Sequence, residues 1–216
     1  MSAIETELKL IVDGDESFRR LVESTPNRLD TLEQLNLYLD TPRREIHAAG
    51  AAFRLRISGS GAWATVKRRS TGQTPGVYVS LEIEDELPLE MAICWLEEKG
   101  PLPLSGGVDF GDLDPLCSGD LLEVVTWSRT RRTRFRLSDD LVMEADETLF
   151  GDGTRDYELE IEHSDMDHAR RAATEVARRA GIRLVDQVRT KHARALRHSG
   201  DGAWPVPVPD GRNGSC

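Results

Sequence analysis

The feature that most constrains the fold is an alternation of charged and apolar residues in short segments along the chain. In "IETELKL", Glu5, Glu7 and Lys9 occupy every second position, and apolar or neutral residues occupy the positions between them. A period of two is typical of β-strands, because successive side chains of a strand point to opposite faces. The pattern therefore predicts strands with one apolar face and one ionic face.

The alternation recurs in about eight segments that few helices interrupt. The predicted strands cover residues 3–12, 32–40, 51–58, 62–69, 77–86, 122–136, 141–149 and 156–163. Gly-rich sequences follow the third and fourth of these segments and indicate hairpin turns, so we expect antiparallel strands. Three amphipathic segments, 15–24, 89–100 and 165–181, predict packing helices, the first of them capped by Asp15 or a neighbour.

The charges on the ionic faces are sorted by sign. Arg54 and Arg56 share one segment, whereas Glu158, Glu160 and Glu162 share another. An open sheet with a solvated charged face is one explanation, with cross-strand ion pairs of about 0.2–1 kcal/mol each. Such a face gives no reason for the sorting, because like charges two residues apart repel each other. The sorting favours a site where a divalent cation meets the carboxylates and a polyanion meets the basic groups.

Closing the strands into a barrel would turn the ionic faces inward and the apolar faces outward, beneath the helices. We therefore expect an α+β fold, an antiparallel closed β-barrel or tunnel of about eight strands with helices packed outside. No second core is evident, so residues 1–196 are expected to form one domain. Residues 100–120 are typical of a surface connection, and residues 197–216 of a flexible Pro- and Gly-rich tail.

The composition limits the partners. A formal net charge of −10 argues against nucleic acid, which is normally bound by a basic surface. No segment reaches the ~20 apolar residues that cross a bilayer, and the acidic start is unlike a signal peptide, so we expect a cytoplasmic protein with no membrane partner. Cys94, Cys117 and Cys216 fit no disulfide or zinc spacing and are expected to be reduced thiols. A homodimer is possible.

The residues resemble the CYTH superfamily of triphosphate tunnel metalloenzymes, which includes inorganic triphosphatases, thiamine triphosphatases and one class of adenylate cyclase. "IETELKL" is similar to the N-terminal ExExK signature of that superfamily. The ordered series that follows comprises "LYLDTP", "FRLRIS", Lys67, "RTRF", Asp146, the "ELE" of residues 158–160 and Lys191. The resemblance covers residues 1 to about 196, and it implies a tunnel that binds a triphosphate with Mg²⁺ or Mn²⁺.

The resemblance also implies a role for each matching residue. The metal-facing residues would be Glu5, Glu7, Asp146, Glu158 and Glu160, with Glu162 an alternative on the last strand. The triphosphate would be held by Lys9, Arg54, Arg56, Lys67, Arg132, Arg134 and Lys191, of which Lys9, Arg56 and Lys67 are expected to be catalytic. The weaker candidates for a role in the site are Glu82, Glu84, Arg69 and Glu144. The five histidines show no metal-ligand spacing and are expected to be surface or structural residues.

The implied activity is metal-dependent hydrolysis of a triphosphate, with inorganic tripolyphosphate giving pyrophosphate and phosphate. A tunnel for tripolyphosphate needs only charges, whereas thiamine or nucleoside triphosphate also needs groups around an organic moiety. Aromatic residues are scarce at 6%, and the sequence does not place them at the tunnel mouth. We favour the inorganic substrate. A class IV-type adenylate cyclase and a non-catalytic polyphosphate-binding module are the alternatives.

Overall fold

The computed structural model describes residues 2–59, 61–69, 74–98 and 122–200. The predicted connection at residues 100–120 and residues 201–216 of the predicted tail lie outside the described residues, as do Cys117, Cys216 and the side chain of Cys94. Within the described ranges, none of the helices has the length and apolar character needed to cross a membrane.

The described residues form nine strands and five helices. The strands are β1 (Ser2–Val12), β2 (Arg28–Asp40), β3 (Ala51–Ser58), β4 (Gly61–Arg69), β5 (Val77–Leu87), β6 (Glu123–Arg136), β7 (Val142–Phe150), β8 (Arg155–Glu162) and β9 (Leu184–Asp186). The helices are α1 (Gly14–Ser24), α2 (Glu45–Ala48), α3 (Leu89–Glu98), α4 (Met166–Ala180) and α5 (Lys191–Arg197). The eight predicted strands and three predicted helices are confirmed within a few residues. The additional elements α2, β9 and α5 are too short for a periodic pattern to show them.

Strands β1 to β8 close into a barrel in which every neighbouring pair is antiparallel. The order is β5, β4, β3, β2, β6, β7, β8, β1, and β1 pairs again with β5. The predicted closed antiparallel tunnel with helices outside is therefore confirmed. The ninth strand, β9, lies beside the last residues of β1 and extends the sheet beyond β5.

Most of the hydrophobic core lies outside the barrel wall, in two large clusters. One cluster lies between β2 to β5 and the helices α2 and α3, and it contains the buried side chains of Phe53 and Leu55. The other lies beneath α1 and α4 and contains Leu8, Phe135 and Met143. Burial of one such side chain stabilises a fold by about 1.5–3 kcal/mol. The outward faces of the strands therefore provide the packing energy, and the inward faces are left for polar residues.

The two long helices differ in how they begin. α4 has the predicted boundaries, because the Asp165 side chain accepts a hydrogen bond from the His168 backbone N–H (2.9 Å) and Gly181 ends the helix with a φ of 63°. α1 follows Asp13, whose side chain makes no capping hydrogen bond, so the expected cap at Asp15 or a neighbour is wrong. Both helices pack on the outer cluster that covers β1 and β8.

The neighbour of β1 changes from β5 to β9 at Lys9. The Lys9 backbone N–H donates to the carbonyl of Gly76 (2.7 Å), and the Lys9 carbonyl accepts from the backbone N–H of Gln187 (3.0 Å). Gly76 has a φ of 75°, and a Cβ there would lie 2.4 Å from Asp186 Oδ1. A residue with a side chain would therefore be strained at this position and would displace the Asp186 carboxylate. The backbone hydrogen bonds of β1 continue without a gap and fix the position of Lys9.

Helix α5 packs at the end of the barrel where β2 and β7 end. Ala195 lies against Tyr38 and Phe150, and its carbonyl accepts a hydrogen bond from Thr126 Oγ1 (2.8 Å). The chain then continues to His198, whose carbonyl accepts from the backbone N–H of Asp152 (3.0 Å). α5 is thereby held against three strands, and its first residues line the barrel interior.

Candidate active site in the barrel interior

The barrel interior contains a cavity of about 740 Å³. The predicted site residues that line this cavity are Glu5, Glu7, Lys9, Arg54, Arg56, Lys67, Arg132, Arg134, Glu160 and Lys191. The other two, Asp146 and Glu158, are fully buried behind the cavity wall and bind the cations that line it. The structure therefore brings all the predicted site residues into one connected group.

Strand register explains how charges that are sorted by sign come to neutralise one another. Lys9 of β1 lies directly opposite Glu160 of β8, and Arg132 of β6 lies opposite Asp146 of β7. Direct cross-strand partners have Cβ atoms about 4.5–5.5 Å apart, within reach of an ion pair. At these two positions, a charge on one strand is thus compensated by the opposite charge on its neighbour.

Three buried carboxylates form a cluster. One oxygen each from Asp146, Glu158 and Glu160 lies within 4.8 Å of the others. The Lys191 ammonium lies among them, with Nζ 2.5 Å from Asp146 Oδ2, 2.8 Å from Glu158 Oε1 and 3.4 Å from Glu160 Oε1. Lys191 therefore links α5 to the acidic strands, which supports a site role over that of an exposed helix charge.

Glu160 is the carboxylate with the most cationic partners. Its Oε1 lies 2.6 Å from Lys9 Nζ, and its Oε2 accepts from Arg132 Nη2 at 2.6 Å. Burial opposes ionisation, but the cations Lys191, Lys9 and Arg132 together hold the pKa of Glu160 well below its usual range. Glu160 is therefore ionised at neutral pH, as the counter-charge of cations from two strands and a helix.

The three clustered carboxylates fit a divalent metal by their chemistry. Mg²⁺ and Mn²⁺ prefer hard oxygen donors, and carboxylates from neighbouring strands supply them. Glu158 Oε1 is buried and accepts no hydrogen bond, although it lies close to the Lys191 ammonium. A metal ion bound among these oxygens would have to displace that ammonium, which would release Lys191 for a phosphate group.

A second acidic group surrounds Lys67, at the part of the cavity lined by the start of β1. Lys67 Nζ lies 3.1 Å from Glu7 Oε1, 3.7 Å from Glu5 Oε2 and in contact with Glu82. Burial and the hydrogen bond with Glu82 raise the pKa of Glu5 to about 8. Burial acts to raise the pKa of Glu82. The hydrogen bond from Glu5 and the charge of Lys67 outweigh burial and lower this pKa to about 2. The two carboxyls therefore share one proton at neutral pH.

The shared proton predicts a pH-dependent stability. Between the ordinary pKa of 4.5 and the folded value of about 8, the folded pair holds a proton that the unfolded chain has released. The stability that this proton provides is present below pH 4.5 and is lost as the pH rises through 8. In Glu5→Gln, the side chain at position 5 does not ionise in this pH range. We therefore expect the Tm of the variant minus the Tm of wild type to increase by about 2–4 °C from pH 5.5 to pH 8.5. Thermal unfolding without metal measures this; Glu33→Gln, an exposed glutamate, is the control, and equal slopes for the two variants would contradict the shared proton.

The two arginines of β3 differ from the other cations of the cavity. Arg56 donates from Nε to Asn36 Oδ1 (3.0 Å) and forms no ion pair within the described part of the chain. Burial, together with the neighbouring charges of Arg54 and Arg132, lowers the pKa of Arg56 to about 9. Arg54 donates to Thr65 Oγ1 (3.1 Å) and forms a long ion pair with Glu84 (Nη2–Oε2 3.8 Å), while its buried Nε has no hydrogen-bond partner among the described residues. Strand β3 thus presents cationic donors that the carboxylates do not satisfy.

Three residues of the site were missed by the sequence analysis. Arg194 is buried and contacts Asp156 and Glu158, which fixes α5 to β8. His47 and His192 line the cavity, although the histidines were expected to be surface or structural residues. α2 and α5 give no periodic signal, so nothing in the sequence pattern places these three side chains near the barrel interior.

Arg134 lies at the cavity but is already bound. Its Nε and Nη2 donate to the two oxygens of Asp30 at 2.8 and 2.5 Å. This bidentate pair makes Arg134 less available for an anion than the arginines of β3.

The sequence of residues 3–190 matches the family model of the CYTH domain. The chain belongs to the CYTH family. The resemblance inferred from the ExExK segment and the residues after it is thereby confirmed over nearly all of the predicted domain. No curated protein matches this CYTH chain.

Solved structures similar to this CYTH chain share its fold at low sequence identity. HpAC1 from Hippeastrum, a candidate adenylyl cyclase described as having a dominant triphosphatase activity, is 20% identical with a TM-score of 0.77, covering 94% of this chain and 99% of that chain. A candidate adenylate cyclase from Bacillus halodurans is 24% identical with a TM-score of 0.66, covering 89% and 97%. The PH1819 protein from Pyrococcus horikoshii is 18% identical with a TM-score of 0.57, covering 88% and 98%.

Proposed function

We propose that this CYTH chain hydrolyses a terminal phosphoanhydride bond of a triphosphate, with Mg²⁺ or Mn²⁺ as cofactor. Inorganic tripolyphosphate is the minimal substrate, and water converts it to pyrophosphate and phosphate. The description of HpAC1 as a triphosphatase agrees with this proposal. The observation that carries it is the positive charge of Arg56 on β3, which lines the barrel cavity without an ion pair among the described residues.

Arg56 has the properties of an anion-binding residue. A partly buried guanidinium without a carboxylate is costly, and a lowered pKa is the sign of that cost. A phosphate oxygen pair would satisfy the free end of its planar fork bidentately. Arg54, two residues away on the same face, adds a second set of donors. These arginines are therefore proposed to hold the phosphate groups.

The other cations are proposed to act from fixed positions. Lys9 and Arg132 are held by the carboxylate of Glu160, and Lys67 is held by Glu7, so their charges are oriented before a substrate arrives. Preorganised charges stabilise the transferring phosphoryl group without reorganising during the reaction, an effect that mutagenesis of comparable sites places at about 10²–10³ in rate. A divalent cation, when bound, supplies further positive charge to the phosphate oxygens and acidifies water. Glu5, Glu7, Asp146, Glu158 and Glu160 are the residues proposed to hold it.

The activity is tested by incubating the full chain with tripolyphosphate and either Mg²⁺ or Mn²⁺. We expect one orthophosphate and one pyrophosphate for each tripolyphosphate consumed, and a loss of at least about 100-fold in rate with excess EDTA. Ion chromatography measures both products. Tripolyphosphate that stays intact with both metals, at enzyme concentrations near that of the substrate, would contradict the proposal.

The same assay separates the alternatives. ATP in place of tripolyphosphate, followed for cyclic AMP and for orthophosphate, distinguishes a cyclase from a hydrolase. Tripolyphosphate that raises the Tm but is not consumed would indicate a binding module instead of an enzyme.

A further inference from the structure

Three cations of the cavity lie directly opposite a carboxylate on a neighbouring strand. The pairs are Lys9 with Glu160, Lys67 with Glu82 and Arg132 with Asp146. Arg56 of β3 departs from this arrangement, because the residues opposite it are Asn36 on β2 and Trp63 on β4. Asn36 has the shape of an aspartate but carries no charge. A neutral amide therefore lies where the other cations have an acid.

The Asn36 side chain supports Arg56 from behind. Its Oδ1 accepts a hydrogen bond from Arg56 Nε (3.0 Å), and Asn36 is only 1% exposed, whereas Arg56 lines the cavity. Within the described ranges, no hydrogen bond from the two terminal nitrogens of Arg56 is seen. Nε lies on the stem side of the planar fork, so this contact leaves both terminal nitrogens available to a ligand. Asn36 thus orients the guanidinium without compensating its charge.

This arrangement is costly for the ligand-free fold. Asn36 Nδ2 is buried and has no hydrogen-bond partner among the described residues, and the same holds for Oγ of Ser128, the residue opposite Asn36 on β6. Burial and the neighbouring charges of Arg54 and Arg132 lower the pKa of Arg56 to about 9. Buried polar groups without partners lower stability, and proteins keep such exceptions mainly at functional sites. The amide at position 36 is therefore better explained by a ligand than by the stability of the fold.

We propose that Asn36 is a positioning residue, which holds the Arg56 guanidinium in place and keeps it without a counter-charge until a phosphate group binds. This inference rests on the proposed triphosphate site and identifies the uncharged side chain that sets its affinity. A carboxylate at position 36 would form a charge-assisted pair with Arg56 and compete with the phosphate oxygens. The same carboxylate would stabilise the ligand-free barrel, since it would compensate a cation that has no ion pair among the described residues. Stability and affinity are therefore expected to change in opposite directions.

Asn36→Asp is the test, because it exchanges one nitrogen for one oxygen and adds a single negative charge. Calorimetry with EDTA measures the equilibrium binding of tripolyphosphate without turnover, and thermal unfolding measures the stability of the ligand-free protein. We expect the Kd for tripolyphosphate to rise at least about tenfold, because the new carboxylate competes for Arg56. We expect the Tm to rise by about 2–4 °C. A merely structural role for Asn36 predicts a fall in Tm and gives no reason for this opposite pair of changes.

Asn27→Asp is the matched control. Asn27 is exposed on the loop before β2 and donates to the carbonyl of Arg136 at 3.5 Å, so the same exchange is made outside the barrel. We expect its Kd to stay within about twofold of wild type and its Tm within about 1 °C. The second control combines Asn36→Asp with Arg56→Ala. The gain in Tm is expected to disappear in this background, because the new carboxylate lacks its guanidinium.

The inference is overturned if Asn36→Asp binds tripolyphosphate as tightly as wild type, if its Tm does not rise, or if the gain in Tm persists without Arg56. Binding that depends on Asn36, without hydrolysis, contradicts only the proposed function. Hydrolysis by wild type with unchanged binding in Asn36→Asp contradicts only this inference. A wild type that neither binds nor hydrolyses tripolyphosphate contradicts both.

Discussion

Replacing Arg56 with alanine is expected to lower kcat/KM for tripolyphosphate by about 10²–10³-fold, while the Tm of the ligand-free protein changes little. The activity falls because a charge-assisted, bidentate phosphate contact is lost from the cavity. The Tm is preserved because, among the described residues, Arg56 has only Asn36 as a hydrogen-bond partner, so the variant leaves no carboxylate of that part of the chain without its cation. Steady-state kinetics and thermal unfolding of the same preparations measure the two effects.

The control for this variant is Arg131→Ala. Arg131 lies on the outside of β6 with an exposed side chain, 3.7 Å from the similarly exposed Glu33, and its removal changes the net charge by the same amount. Exposed pairs of this kind contribute about 0–1 kcal/mol. We expect its kcat/KM to stay within twofold of wild type. If Arg56→Ala hydrolysed tripolyphosphate as well as Arg131→Ala does, the unsatisfied charge of β3 would have no part in the reaction.

Replacing Glu160 with glutamine is expected to cause a large loss of stability as well as of activity, whereas Arg56→Ala is expected to lose activity alone. The carboxylate compensates Lys9, Arg132 and Lys191 in the barrel interior. Removing one partner of a buried ion pair costs about 3–5 kcal/mol, because the remaining charges stay buried without compensation. For a chain of this length, that cost corresponds to a Tm decrease of about 10 °C. Differential scanning calorimetry measures it at pH 7.

Glu147→Gln tests whether that loss depends on burial. Glu147 lies on the neighbouring strand β7 and pairs with Arg155, whose side chain is half exposed. An ion pair open to solvent contributes little, so we expect a Tm change of about 2 °C or less. Equal decreases for the two glutamates would show that the network around Glu160 adds nothing beyond an ordinary surface pair.

The barrel could be predicted from the sequence because the side-chain period of a strand is two. Residues such as Glu5, Glu7 and Lys9 were placed on one face by counting, and the sorting of charges by sign indicated that this face is enclosed. The strand boundaries followed from the same counting, so the predicted 51–58 coincides with β3.

The pairing of individual charges could not be predicted in this way. Periodicity gives the face of a residue but not the register between strands, so the sequence did not show that Arg134 binds Asp30 or that Arg56 has no carboxylate. Short elements were a second limit. α5 has seven residues, too few for a periodic pattern, and it carries His192 and Arg194 to the interior.

The apolar clusters lie outside the barrel wall, so the residues that stabilise the fold are separate from the residues proposed to bind the substrate. In a close-packed interior, a change in the volume of one side chain disturbs the side chains around it. In this protein, Phe53 and Leu8 pack in clusters outside the wall, so an ionic residue of the lumen can be exchanged for another without altering those apolar contacts. Descendants of such a scaffold can acquire new substrate preferences through interior substitutions alone, provided that the sum of charges around the lumen stays balanced.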